Sequence, residues 1–197
     1  MNREKRTFGF NLEGKEKEER KMTGHAAVFG EATEICGCFR EQIEPGAFKK
    51  SIKDDDVRAL FNHNPDYVLG RNTAGTLRMK EDEQGLRVEI DPPDTQVARD
   101  LGTSIERGDI SQMSFAFQVL EEEWIRGESV KQLDLRKIKK VRLYDVSPVT
   151  FPAYEGTDIA MRSHEAWKKS QDKQEEELRI EQTDIIALMR QHLTRRY

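Results

Sequence analysis

From Gln112 to Val119 small or polar side chains and large apolar ones alternate without a break, a pattern that only an extended strand sorts onto two faces. Met113, Phe115, Phe117 and Val119 share one parity; Gln112, Ser114, Ala116 and Gln118 share the other. Side chains alternate across a strand, so the first set is expected to face a core and the second to face away from it. Shorter runs of the same kind occupy Met22–Gly30, Val57–His63, Tyr67–Gly70, Thr76–Met79 and Leu86–Ile90, with turns expected at Gly75 and Gly85. A weaker first strand is read at Thr7–Leu12, a charged turn from Gly14 to Lys21, and a further strand pair in Leu133–Val149.

Two helices interrupt this series. Pro45 opens a short one that spaces Phe48 and Ile52 four apart. In the second, Asp94 is the expected N-cap, Val97, Leu101 and Ile105 form the apolar stripe, and Gly108 is the stop. Many short strands with two interposed helices predict an α+β, barrel-like domain.

Composition narrows the function classes. Charged residues are 36% of the chain and hydrophobic residues 36%, with the charge concentrated near the N-terminus and in the last 35 residues. Net charge is −4 and no basic stretch is interleaved with aromatics, so nucleic acid is not the expected partner. No apolar run approaches the ~20 residues that span a bilayer, so no membrane association is expected. Met1–Arg6 has no apolar stretch behind it, which is unlike a signal peptide. After Ser163 the character changes. Residues 165–177 are almost wholly polar and read as a connector, and Leu178, Ile185, Leu188, Met189 and Leu193 then sketch an amphipathic helix.

Three residues carry candidate chemistry. Ser114 lies on the face of its strand turned away from the core, between Gln112 and Ala116, where a substrate could approach. Ser111 has the core parity and is the poorer nucleophile candidate. His63 closes the set Val57, Ala59, Phe61, and Asp145 closes the set Val141, Leu143. Both are expected to be part-buried at the ends of apolar faces, where a carboxylate needs a partner such as a histidine. Serine, histidine and acid allow a serine-protease triad, which is recognised by geometry rather than chain order. An ordinary strand serine, a core histidine and a structural acceptor fit the same local patterns.

Other signals are weaker. His25, His164 and His192 have no such setting. Cys36 and Cys38 are spaced by one residue, whereas structural zinc pairs are spaced by two to four, so neither metal nor other cofactor is expected. The same two cysteines suit a reducing compartment.

Together these landmarks resemble the prohead maturation proteases of tailed phages, the Hong Kong 97-like group. The matching residues run in order: Gly24–Gly30, Glu41–Phe48, Leu60–Asn64, Leu69-Gly70, Thr76-Leu77, Gly85-Leu86, Gly108–Phe117 and Asp145–Tyr154. They span residues 23–161, and the combination is specific where no single piece is.

The resemblance implies a herpesvirus-assemblin-like β-barrel flanked by helices, with a protease domain over residues 1–162 (core 22–161). Residues 163–197 would then be a polar and helical tail, removable by self-cleavage. It also implies a serine endopeptidase with Ser114 as nucleophile and His63 as general base. Assemblins use a second histidine as third member, whereas phage relatives use an acid, often glutamate; here Asp145 stands before Val146-Ser147, with Glu44 and Asp66 as the next acids to test. The turn Ser147–Thr150 is the candidate source of oxyanion donors by fold analogy. Implied substrates are the major capsid protein, its scaffold segment and the protease's own termini, inside the assembling prohead in the bacterial host cytoplasm. Self-association is expected, since assemblins gain activity on dimerising. The rival reading is a non-catalytic capsid assembly or scaffolding protein that keeps the fold.

Overall fold

The computed structural model describes residues 3–8, 13–14, 21–129, 132–151 and 157–194, with side chains placed for 3–7, 21–129, 132–151 and 159–182. In chain order the elements are β1 (Glu4–Phe8), β2 (Glu13–Gly14), β3 (Met22–Val28), β4 (Thr33–Ile35), β5 (Phe39–Ile43), α1 (Lys49–Asp54), β6 (Arg58–Phe61) and β7 (Asn64–Arg71). A 3-10 turn (Asn72–Ala74) follows, then β8 (Leu77–Glu81), β9 (Gly85–Ile90), α2 (Gln96–Glu106), β10 (Gln112–Ile125), β11 (Asp134–Val149) and α3 (Thr157–Thr194). The expected α+β class holds. Among the described residues the strands form two open sheets, not a closed barrel.

The larger sheet runs β1-β10-β11-β5-β4, with β6 and β7 attached to the far half of β11. The smaller runs β2-β3-β9-β8. The hairpin of β10 and β11 is the spine of the larger sheet. Its second arm is one strand of 16 residues where a pair of strands was expected, because β5 and β6 pair in parallel with successive stretches of it. The core lies between the sheets: Met113, Phe115, Phe117, Val141, Leu143 and Val146 from one side meet Ala27, Leu77, Leu86, Val88 and Ile90 from the other. The Phe48 ring packs edge-on against Phe115 with centroids 5.5 Å apart.

Both expected internal helices form, each with a shifted start. α1 begins after Phe48, which is fully buried at the N-cap. α2 is capped by Thr95, whose hydroxyl accepts from the Ala98 amide at 3.3 Å, so the cap lies one residue beyond Asp94. The buried stripe is therefore Ala98, Leu101 and Ile105, and Val97 turns outward.

Contacts divide the chain into two compact units, Met1–Thr157 and Asp158–Tyr197. The second is the helix α3, which runs unbroken through residues 165–177 instead of leaving them as a connector. The reason is local: Glu, Lys, Gln and Ala are strong helix formers, and Lys173 sits one turn before Glu177. Of the expected first strand, β1 takes Glu4–Phe8; residues 9–12 lie outside the described part, as does most of the charged turn after Gly14.

Candidate active site

Phe61 and Asn64 are cross-strand partners, so Asn62 and His63 alone make the turn between β6 and β7. Their φ values, 53° and 57°, are both left-handed, the signature of the type I′ turn whose twist suits a hairpin. His63 therefore does not continue the strand face of Ala59 and Phe61 as the alternation predicts. It sits at the tip. A left-handed non-glycine residue costs on the order of 1–3 kcal/mol unless its surroundings over-determine it. Here the Asn62 amide donates to Pro148 O (3.0 Å), its Oδ1 accepts from the Thr150 amide (2.8 Å), and its Nδ2 donates to Thr150 Oγ1 (3.1 Å). The turn is thereby bolted to the end of β11.

Asp145 also departs from simple alternation. Period-two counting puts it on the face of Val141 and Leu143. In the pairing of β10 with β11, Phe117 faces Leu143 but Ala116 faces Asp145, a register shift that leaves Tyr144 as the extra residue. Directly opposed residues share a face, so this β-bulge moves Asp145 from the face of Phe117 to that of Ser114 and Ala116. Ser147, paired directly with Ser114, follows it there.

These two irregularities bring three side chains into one line. His63 Nδ1 lies 2.5 Å from Asp145 Oδ1, and His63 Nε2 lies 2.8 Å from Ser114 Oγ. Ser147 Oγ donates to the same Asp145 Oδ1 at 2.8 Å. With Asp145 ionised, Nδ1 must carry the proton it shares with the carboxylate, which leaves the Nε2 lone pair facing the serine hydroxyl. Such a line can draw a proton from a serine attacking a carbonyl carbon. The His63 and Asp145 side chains are only 6% and 9% exposed.

Ser114 itself is fully buried, contrary to the open face expected for it. The parity is right but the face is not open: on the outer edge of β10, β1 sets Thr7 opposite Ser114, and Ser114 Oγ donates to Arg6 O at 2.9 Å. Nothing in the local alternation signals that contact.

Beside the line lies a buried ionic cluster that sequence reasoning missed. The Arg6 guanidinium bonds Glu41 (2.5 and 3.0 Å) and Glu4 (2.7 Å), and Arg136 bonds Glu4, Glu41 and Glu122 (2.9, 2.8 and 2.7 Å). Burial works against the charge of Arg136, but the three carboxylates outweigh it and hold its pKa above the ordinary value. The available signal was Arg136 at an inward position of β11, two residues before buried Ile138.

The remaining candidates fall elsewhere. Glu44 accepts from Gln42 Nε2, and Asp66 is exposed on β7; neither is the acid bonded to His63. Ser111 is exposed just before β10. Of the proposed oxyanion segment, Pro148 has no N–H and the Thr150 amide is engaged by Asn62. His25 is buried against both oxygens of Asp82 (3.0 and 2.9 Å). Cys36 and Cys38 are free thiols in the turn between β4 and β5. His164 stacks on Trp167 within α3, and the His192 side chain lies outside the described residues. Among the described residues no group of three or more His, Cys, Asp or Glu side chains could hold a metal ion.

The family model described as caudovirus prohead serine protease matches residues 9–171. No curated protein and no solved structure matches the chain.

Proposed function

Since the chain belongs to the caudovirus prohead serine protease family, we propose that it is a serine endopeptidase in which Ser114 is the nucleophile, His63 the general base and Asp145 the third member. The observation that carries this reading is the unbroken chain of hydrogen bonds from Ser114 through His63 to Asp145. His63 takes the hydroxyl proton as Ser114 Oγ attacks the scissile carbonyl, and returns it to the leaving amine. The acyl-enzyme is then released by water activated at the same nitrogen. Asp145 holds the ring in the required tautomer and stabilises the imidazolium, and Ser147 holds Asp145. Oxyanion donors are worth ~3–4 kcal/mol each in such enzymes.

In this reading the substrates are the major capsid protein, its scaffold segment and the enzyme's own termini, cut inside the assembling prohead of an infected bacterium. The protease domain is residues 1–162, and the segment 163–197 is removable by self-cleavage. An assemblin-like barrel, of which the two sheets would be the halves, and self-association belong to the same reading. Full burial of Ser114 favours one alternative, a capsid assembly protein that keeps the fold without the chemistry.

Co-expression with the capsid protein, wild type beside Ser114→Ala, separates the two. Mass spectrometry should show capsid protein and chain termini cleaved with wild type and intact with the variant. Intact proteins in both samples, with capsids still assembling, would establish the assembly role instead.

A further inference from the structure

We propose that β1 is an intramolecular strap that keeps the nucleophile latent, and that the edge of β10 beneath it is where an extended peptide enters once β1 lifts; this rests on Ser114 being the nucleophile of a protease. A peptide bond cannot be cut by a serine that no peptide can reach. Ser114 is fully buried, and outside the triad its hydroxyl is hydrogen-bonded to the Arg6 carbonyl of β1.

The contact opposes catalysis in two ways. A serine hydroxyl has one proton, and here two acceptors compete for it, His63 Nε2 and Arg6 O. While the proton is shared with Arg6 O, the general base has less of it to draw. The contact also presents a carbonyl oxygen to Oγ, whereas attack needs the carbon, with the oxygen turned toward donors. The β1 main chain is therefore bound as a cover.

The strap is fastened along its length. Glu4, Lys5, Arg6, Thr7 and Phe8 pair with Phe117, Ala116, Phe115, Ser114 and Met113. Arg6 and Glu4 plug into the cluster with Glu41 and Arg136, and the Arg6 guanidinium lies 5.7 Å from the Phe117 ring centre. Lifting β1 takes Glu4 and Arg6 away together, a carboxylate and a guanidinium, so the net charge of the cluster is unchanged. Glu41 and Glu122 still pair with Arg136. What remains is an unpaired strand edge beside the nucleophile, which an antiparallel peptide can fill by main-chain hydrogen bonds.

The test uses the full chain and a fluorophosphonate probe, which labels an activated serine without needing a protein substrate. In a background with Cys36→Ser and Cys38→Ser, the paired positions Lys5 and Ala116 are changed to cysteine, and their disulfide locks β1 in place. The oxidised form should label Ser114 barely at all, and reduction should restore labelling of that same variant. Arg6→Ala, which loosens the strap, should label on the order of 100-fold faster than wild type, the scale expected when a buried ion-pair partner is lost. If Arg6→Ala fails to fold, the oxidised and reduced disulfide variant decides alone. Equal labelling of the oxidised and reduced forms would overturn the strap while leaving the protease standing. No labelling of any form, with Ser114→Ala as the blank, would sink the protease reading and the strap with it.

Discussion

Asn62→Ala tests the turn that carries His63, and its cost can be worked from the contacts. Asn62 has φ 53°, a conformation asparagine tolerates and alanine does not, at ~1 kcal/mol. Its side chain makes two hydrogen bonds to Thr150, each worth about 0.5–1.5 kcal/mol and at the low end because the pair is exposed. Alanine should therefore destabilise the protein by about 2 kcal/mol, the sum of strain and lost bonds. Asn62→Gly separates the two terms, since glycine accepts a positive φ: it should cost about 1 kcal/mol, the clamp alone. Urea denaturation reads both values from the shift of midpoint at constant slope. Catalysis adds an independent reading. With the clamp gone His63 is held less firmly in both variants, so each should lose about tenfold in kcat/KM, or ~1.4 kcal/mol of transition-state stabilisation. If alanine and glycine are equally stable, the left-handed strain is not there. If both keep wild-type activity, Asn62 does not position the histidine.

Ser147→Ala removes one of two donors to Asp145 Oδ1 and should lower kcat/KM about five- to tenfold, with Ser147→Thr recovering most of it, as measured on a cleaved peptide or capsid fragment. Arg136→Met removes one of the two guanidiniums bonded to buried Glu4 and Glu41, and should cost about 3–5 kcal/mol in urea denaturation; a loss under 1 kcal/mol would show that the cluster is hydrated and cheap to break. Burial pushes the Asp82 carboxyl up, but hydrogen bonds from His25, Gly85 and Gln84 outweigh it and hold it below its ordinary 3.8. A depressed carboxyl contributes stability above its unfolded pKa and loses it as pH falls through the folded one. The wild-type urea midpoint should thus fall more steeply below about pH 4 than that of Asp82→Asn; parallel curves would remove Asp82 from the acid response.

Much of this protein is legible from a chain of residue types because strand side chains alternate by backbone geometry alone. Met113, Phe115 and Phe117 follow that period into the core, and Ser114 follows it out. Helix α2 and its stop are legible in one apolar stripe, whereas the helical run through 165–177 has no such stripe and is written only in its strong helix formers. Alternation failed where pairing interrupts it. Counting two by two carried the strand past Phe61 to His63, although Asn62-His63 between two strands was itself a turn signal. It also put Asp145 on the core face, because a bulge at Tyr144 exists only in the register of β11 against β10.

What meets the Ser114 hydroxyl could not be read at all. Parity tells which face a side chain takes, not what it meets there. The hydroxyl's acceptor outside the triad, Arg6 O, lies 108 residues earlier in the chain, and only the folded sheet, by pairing β1 with the outer edge of β10, brings that carbonyl to it.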